Sequence, residues 1–389
     1  MTNWNEHLSS RLSAWKRQGL SRELKIAEGT GVRFKLRGKD VLSFASNDYL
    51  GLAAHPAVIA ASKAALDNTG TGAGASPLIV GHKLIHAQLE SALAAFKQSE
   101  TALVFPSGFQ AALAALGALA GENDSIILDR LSHASLIDGA KLSGARVRAF
   151  KHNDLDDLRK LLDSEHGRPC IVAVESLYSM DGDTAPLEEL AAITRQAGAL
   201  LLVDEAHATG VLGESGRGAL EKLARDSGLP AHVIAMGTLS KALGSQGGYV
   251  CASKLVTDTI VHAGRAYLFS TALAPAAVAA ASAALKLIDG EPERRIRLMQ
   301  LSNSLRAALK RLEFPIVDSA GPIIPVLTGD EKRATACADA LLARGIYVPA
   351  IRYPTVKKGE ARLRISLSAG HTREDCQRLI DGLKSVFNN

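Results

Sequence analysis

Lys241 stands in Gly237-Thr238-Leu239-Ser240-Lys241-Ala242-Leu243-Gly244, 37 residues beyond the aspartate of Asp204-Glu205-Ala206-His207. The aspartate closes an apolar run, Ala199 to Val203, and a second run, Val233 to Met236, leads to the lysine. A strand ending in a carboxylate, followed by a strand leading to an amine, suits one chemistry in particular. The amine can hold an aldehyde cofactor as a Schiff base, while the carboxylate pairs with that cofactor's pyridine nitrogen. The pairing keeps the nitrogen protonated and makes the ring an electron sink. These residues therefore point to pyridoxal phosphate (PLP). A lysine by itself is ordinarily a solvated surface charge. Here Thr238 and Ser240 offer hydroxyls to a phosphate, and Gly244, Gly247 and Gly248 are small enough for a ring to approach the backbone.

Other polar residues fall at the ends of apolar runs. His207 could reach the cofactor's phenolic oxygen, as could Ser179 in Glu175-Ser176-Leu177-Tyr178-Ser179-Met180-Asp181-Gly182, where Glu175 is grouped with the cofactor contacts. His133 follows the run Ser125 to Leu128 and could stack on the ring. Phe105-Pro106-Ser107-Gly108-Phe109-Gln110 joins a strand-like run to an Ala/Leu helix, whose free amides suit an anion such as the cofactor phosphate. A plain Ser-Gly helix start explains that string about as well. Gly70-Thr71-Gly72-Ala73-Gly74-Ala75-Ser76 follows a helical pattern rather than a strand and lacks the last glycine of a dinucleotide loop. It reads instead as a flexible loop that brings Ser76 near a substrate. In Arg362-Leu363-Arg364-Ile365-Ser366-Leu367, strand alternation puts both arginines on one face. An arginine there could bind an amino-acid carboxylate in bidentate fashion, and a solvated edge strand is the plainer explanation. The string Asp-Glu-Ala-His also occurs in the magnesium-binding strand of helicases. Such an enzyme needs a phosphate loop G-x-x-x-x-G-K-[ST], which this sequence lacks.

Short β-rich runs separated by helical patterns must position these groups. The runs are Ala102–Phe105, Ser125–Leu128, Arg146–Phe150, Cys170–Val174, Leu200–Val203, Val233–Met236 and Tyr249–Ala252. Helical patterns such as Gln110–Leu119 and Leu187–Gln196 lie between them. Runs buried on both faces with helical crossovers predict an α/β fold with a mainly parallel, doubly wound sheet of seven strands. Ligands bind such sheets beyond the carboxyl ends of the strands, where Asp204 and Lys241 fall. At 389 residues the chain is long for a single core. Expected are an N-terminal helix and hairpin over 1–49, a large α/β domain over 50–285 and a smaller α+β domain over 286–389. The first helix, 4–20, carries Trp4, Leu8, Leu12 and Trp15, and the hairpin turns around Gly38-Lys39-Asp40.

The formal charge is +5, and no Lys/Arg block resembles a nucleic-acid-binding stripe. Cys170, Cys251, Cys337 and Cys376 lack metal-ligand spacing, so no metal site is expected, and Cys170 and Cys251 sit in apolar runs as reduced core residues. The N-terminus shows no signal-peptide pattern and no stretch is long and apolar enough to span a membrane, so a cytoplasmic protein is expected.

Together these residues resemble the α-oxoamine synthases of the aspartate-aminotransferase-like PLP fold (fold type I). The resemblance runs from Ser46-Asn47-Asp48-Tyr49-Leu50-Gly51-Leu52 to the Arg-Leu-Arg strand. It includes Ser132-His133-Ala134-Ser135, Ser179-Met180-Asp181-Gly182-Asp183, Asp204 to Gly210, and Lys241. It implies an acyltransferase that works as a homodimer with active sites at the subunit interface. Lys241 would form the Schiff base, Asp204 would hold the ring nitrogen, His133 would stack, and Ser179 and His207 would serve the phenolic oxygen. Ser107, Gly108, Phe109 and Thr238 would cradle the phosphate, with Ser270 or Thr271 supplied by the neighbouring subunit. Asn47 and Arg364 would hold the amino-acid carboxylate, with Arg22, Arg352 and Thr355 near the acyl substrate. The segment Val348-Pro349-Ala350-Ile351-Arg352-Tyr353-Pro354-Thr355-Val356 is most similar to members that join L-alanine to a pimeloyl thioester, carried on CoA or an acyl carrier protein. Related members use glycine with an acetyl or succinyl thioester.

Overall fold

The computed structural model describes residues 3–18 and 20–387. Met1 and Thr2, Gly19 within the expected first helix, and Asn388 and Asn389 at the end of the expected C-terminal domain lie outside the described residues. The seven expected runs become one central sheet: β1 (Thr101–Phe105), β2 (Ser125–Asp129), β3 (Arg146–Phe150), β4 (Cys170–Glu175), β5 (Leu200–Asp204), β6 (Val233–Thr238) and β7 (Gly248–Ala252). Their order across the sheet is β1-β7-β6-β5-β4-β2-β3. Strands β2 to β6 pair in parallel, while β7 runs antiparallel to both β6 and β1. Six strands therefore end on the same side.

The sheet is buried because its strands are apolar on both faces. Along β4, Cys170, Val172 and Val174 belong to one packed cluster and Ile171 and Ala173 to the other, as a side-chain period of two requires. Helices Gly108–Leu119, Ala134–Leu142 and Lys254–Ala263 cover the second face, through side chains such as Leu116, Leu136 and Ile260. Helices Leu84–Lys97, Leu187–Gln196 and Pro275–Gly290 pack on the first, with Leu89, Leu190 and Val278. Each fully buried Leu, Ile or Val contributes about 1.5–3 kcal/mol, so the sheet is a stiff platform for whatever its strand ends carry.

Two smaller sheets flank this platform. The N-terminal hairpin, Arg33–Leu36 with Lys39–Ser43, turns at Arg37 and Gly38 rather than around Gly38-Lys39-Asp40. Both turn residues have positive φ, 52° and 75°, as a two-residue type I′ turn demands, so Lys39 and Asp40 already lie in the returning strand. Lys39–Ser43 pairs in parallel with Ile346–Tyr347, joining the two ends of the chain in one sheet. The other sheet places Ala361–Ser366 between Ile323–Gly329 and Ala350–Ile351. Arg362 and Arg364 thus sit on a central, buried strand and not on a solvated edge. The first helix, Trp4–Arg17, buries none of its residues, and Trp4, Leu8, Leu12 and Trp15 stay exposed on it. Among the described residues no helix is long and apolar enough to cross a membrane, and all four cysteines are buried and free.

Candidate active site

The strand ends of the central sheet bring the chemistry together. Asp204 is the last residue of β5 and Glu175 the last of β4, and the two are register partners on adjacent strands. Both are buried. One Asp204 oxygen accepts from Ala206 N at 2.9 Å, and one Glu175 oxygen accepts from Ser179 N at 3.2 Å. Burial pushes the Glu175 pKa up to about 8, and the neighbouring Asp204 adds to the effect. Burial also raises Asp204, against the opposing attraction of Lys241.

Lys241 follows β6 by a short turn, and its Nζ lies 2.7 Å from His207 Nε2. Desolvation brings its pKa down to about 8, although Asp204 and Glu175 both pull the other way. His207 is buried and held well below the usual histidine range, first by desolvation and then by the charges of Lys241 and Arg364. His133 caps the helix Ala134–Leu142, its Nδ1 accepting from Ser135 N at 3.2 Å. Desolvation lowers its pKa as well, with Asp204 and Lys241 within electrostatic reach.

Arg364 is buried on the central strand of the small sheet and spans the two sheets. Its Nε donates to the Ser179 carbonyl at 2.5 Å, and its Nη1 donates to Ser366 Oγ at 2.8 Å and Asn47 Oδ1 at 3.4 Å. Arg362, on the same face, is tied instead to Asp181 at 2.5 Å and to Glu360. Of the two arginines, Arg364 is the one beside Asn47.

At the end of β1, Ser107 caps the helix Gly108–Leu119, its hydroxyl accepting from Gln110 N at 3.2 Å. The next amides, of Gly108 and Phe109, are the orphan donors that begin any helix. A Cβ on Gly108 would come 3.3 Å from Thr238 Cβ, so the helix start and the end of β6 are packed together. Thr238 donates its hydroxyl to the Gly247 carbonyl at 2.8 Å. Ser270 lies beside this helix start in its own chain, its Oγ accepting from Gln110 Nε2 at 3.0 Å, and Thr271 is exposed. Ser76 adjoins the same region, since Ala272 N donates to the Ala75 carbonyl at 3.0 Å. The glycines after Lys241 serve a purpose other than making space for a ring. A Cβ would fall 2.3 Å from Ala53 N at Gly244 and 2.5 Å from the Ser107 carbonyl at Gly248. They let the protein's own backbone segments pack, which fixes the turn that carries Lys241.

Arg22, Arg352 and Thr355 form a second group. With Leu12, Trp15 and Ile351 they line a cavity of about 670 Å³ between the first helix and the Ala350–Ile351 strand. That strand pairs with Ala361–Ser366, so one wall of the cavity is bonded to the strand bearing Arg364.

The first group fits PLP. Glu175 Oε1 is buried without a hydrogen-bond partner, and the Asp204 carboxylate has no salt-bridge partner among the described residues. The buried Asp204 carboxylate, with no ion-pair partner at salt-bridge distance among the described residues, suits a cation, and a protonated ring nitrogen supplies one. The helix start supplies an anion site and Lys241 an amine of lowered pKa.

Residues 39–383 match the model of the class I and class II aminotransferase family. The chain belongs to this family. Among aminotransferase-family relatives, it is 44% identical over 386 residues to the 8-amino-7-oxononanoate synthase of Geobacter sulfurreducens, covering 97% of each chain. It is 42% identical to that of Cellvibrio japonicus, covering 99% of this chain and 96% of the relative. In three dimensions it is similar to serine palmitoyltransferase from S. paucimobilis, solved with a bound PLP–myriocin aldimine. That match has a TM-score of 0.91 and 32% identity, and covers 98% and 97% of the two chains. The fold is the expected fold type I arrangement.

Two features of this aminotransferase-family site escaped the sequence reading. Tyr49 entered only as part of a motif string, yet its hydroxyl lies 2.6 Å from His207 Nδ1. His152 bridges Asp129 and Asp183, at 2.9 and 2.7 Å, beneath the loop that carries Ser179. No local spacing announces either, because each pairs residues far apart in the chain.

Proposed function

We propose that this chain is a PLP-dependent acyltransferase that condenses L-alanine with a pimeloyl thioester, on CoA or an acyl carrier protein, giving 8-amino-7-oxononanoate for biotin biosynthesis. The observation that carries the chemistry is the convergence of Lys241, Asp204, Glu175 and His207 at one end of the sheet, with Arg364 and Asn47 alongside. Similarity supports these substrates: identity is 42–44% to 8-amino-7-oxononanoate synthases and 32% to serine palmitoyltransferase, over comparable coverage.

When bound, PLP supplies an aldehyde for the amino group and a ring that withdraws electrons from the α-carbon. Lys241 would hold that aldehyde through its amine and, freed of it, would serve as the base for the α-proton, its pKa suitably lowered. Asp204 would keep the ring nitrogen protonated, with Glu175 beside it on the adjacent strand. His133 would stack on the ring, while His207 and Ser179 would serve the phenolic oxygen. Ser107, Gly108, Phe109 and Thr238 hold the phosphate. Arg364 and Asn47 bind the alanine carboxylate. The α-carbon attacks the thioester carbonyl and expels the thiol. Carbon dioxide then leaves, and reprotonation gives the product. Ser76 borders the substrate, and the apolar walls and guanidinium groups of the cavity at Arg22, Arg352 and Thr355 suit a methylene chain with an anionic end.

A cytoplasmic homodimer completes this proposal. Leu78, Ile79, Val80, Phe109 and Phe269 are exposed around the phosphate-binding end of the chain. An apolar set of this kind, next to Ser270 and Thr271, suits a partner subunit that shares those hydroxyls. The test is the visible absorbance of the PLP-loaded protein, titrated with L-alanine and with glycine. A band that shifts saturably at much lower alanine than glycine is expected. A stronger response to glycine would move the assignment to a glycine-using synthase.

A further inference from the structure

Tyr49 is fully buried, at 0% exposure, and its position is over-determined. Its amide donates to the Asn47 carbonyl at 2.8 Å, its carbonyl accepts from Ala369 N at 2.7 Å, and Asp48 caps the following turn through Leu52 N at 2.9 Å. Its hydroxyl therefore cannot drift. That hydroxyl lies 2.6 Å from His207 Nδ1 and 3.3 Å from Asn47 Oδ1. On the other side of the imidazole, Nε2 is 2.7 Å from Lys241 Nζ.

A neutral imidazole has one N–H donor and one acceptor nitrogen. His207 is neutral, since desolvation and the charges of Lys241, Arg364 and His133 all oppose its protonation. The single tyrosine proton has two acceptors within reach, Nδ1 and Asn47 Oδ1, and the shorter contact, by 0.7 Å, is the one to Nδ1. Asn47 Oδ1 is already an acceptor for Arg364. With Nδ1 accepting from tyrosine, the histidine proton must reside on Nε2 and point at Lys241. An ammonium cannot accept a hydrogen bond, whereas a neutral amine can.

We propose that Tyr49 is a positioning residue: by donating to His207 Nδ1 it fixes the Nε2–H tautomer and makes His207 a hydrogen-bond donor to the amine of Lys241. Tyr49 thereby favours the unprotonated amine, which attacks an aldehyde and accepts a proton. Burial of Lys241 and the charge of Arg364 act in the same direction, while Asp204 and Glu175 oppose it. The inference rests on the proposed role of Lys241 and adds to it the group that sets the lysine's state.

The test uses the full chain without added PLP. Trace acetic anhydride labelling, read at Lys241 by peptide mass spectrometry across a pH series bracketing its value of about 8, reports that amine's pKa. Tyr49→Phe is expected to raise it by about one unit, a tenfold change in the amine-to-ammonium ratio. The His207→Phe/Tyr49→Phe double variant is expected to match His207→Phe alone. An unchanged pKa in Tyr49→Phe, or additive shifts in the double variant, would overturn the proposal, because a tyrosine that only fills space moves neither. The imidazole ¹⁵N shifts of His207 in the unsubstituted protein give a check that does not depend on a variant folding. Above pH 8, where the Lys241 amine is largely unprotonated, protonation at Nε2 is expected, and protonation at Nδ1 there refutes the assignment. Failure of the parent reading looks different: Lys241→Ala would take up PLP with the same absorbance as the unsubstituted chain, whatever Tyr49→Phe does to the labelling.

Discussion

Glu175→Gln should stabilise the PLP-free protein, and by an amount that depends on pH. The folded-state pKa of Glu175 is about 8, against 4.5 for an exposed glutamate, because burial and Asp204 both disfavour its charge. For a folded pKa raised above the unfolded value, stability is greatest below the unfolded pKa and falls as pH rises through the folded one. Near neutrality the folded glutamate is protonated and the unfolded one ionised, a penalty of about 3 kcal/mol that vanishes near pH 4. Glutamine has the same shape, keeps an oxygen for Ser179 N, and carries no such penalty. Thermal unfolding of the two proteins across pH 4 to 8 is the assay. The variant should melt about 4 °C higher near neutrality, with the gap closing in acid. A gap that does not change with pH, or a variant less stable at neutral pH, would refute the claim that burial and Asp204 hold Glu175 protonated in the folded protein. Activity should fall in the same variant, since a residue that costs stability at a strand end is retained for what it does there.

Three further outcomes follow from the same geometry. Lys97 Nζ donates to Glu205 at 2.6 Å and Thr209 at 2.7 Å in a pair almost wholly out of solvent. Lys97→Met strands the Glu205 charge, should cost about 3–5 kcal/mol in denaturant unfolding, and should be largely rescued by adding Glu205→Leu. Burial would lower the His152 pKa, but the hydrogen bonds to Asp129 and Asp183 outweigh it and hold it up at about 10. Its contribution is therefore present below pH 6.5 and lost as pH rises through about 10. His152→Gln should cost about 2 kcal/mol near pH 7, discounted for partial exposure, and should flatten the alkaline limb of the stability profile. Arg364→Lys removes the planar fork that binds Ser179, Ser366 and Asn47 together. Steady-state kinetics should show KM for alanine rising tenfold or more, a loss of about 1.4 kcal/mol or more, with KM for the thioester little changed.

Much of this site was legible because it lies where strands end. A buried parallel strand must be apolar throughout, so its termination by Asp204 or Glu175 stands out against Leu201-Leu202-Val203 or Ile171-Val172-Ala173. The seven runs, the helix after Ser107 and the turn bearing Lys241 were readable for the same local reason. The small sheets were less so. Ile346–Tyr347 is two residues long, and its partner strand lies some three hundred residues earlier, so no periodicity reveals the pairing. The glycines around Lys241 looked like space for a ligand, and only packing showed them filled by Ala53 and Ser107 backbone.

Residue type and local spacing thus determined which side chains could form a Schiff base, protonate a ring or bind a carboxylate, because those capacities belong to the functional groups themselves. Tertiary structure decided what state each group is in. Arg364 became the arginine beside Asn47 while Arg362 was spent on Asp181, although the two are alike on one strand face. Tyr49 came to rest against His207 across 158 residues of chain. Burial then moved the pKa values of Glu175 and Lys241 toward each other, to about 8. Desolvation and proximity act through space, and the chain's own order does not encode them.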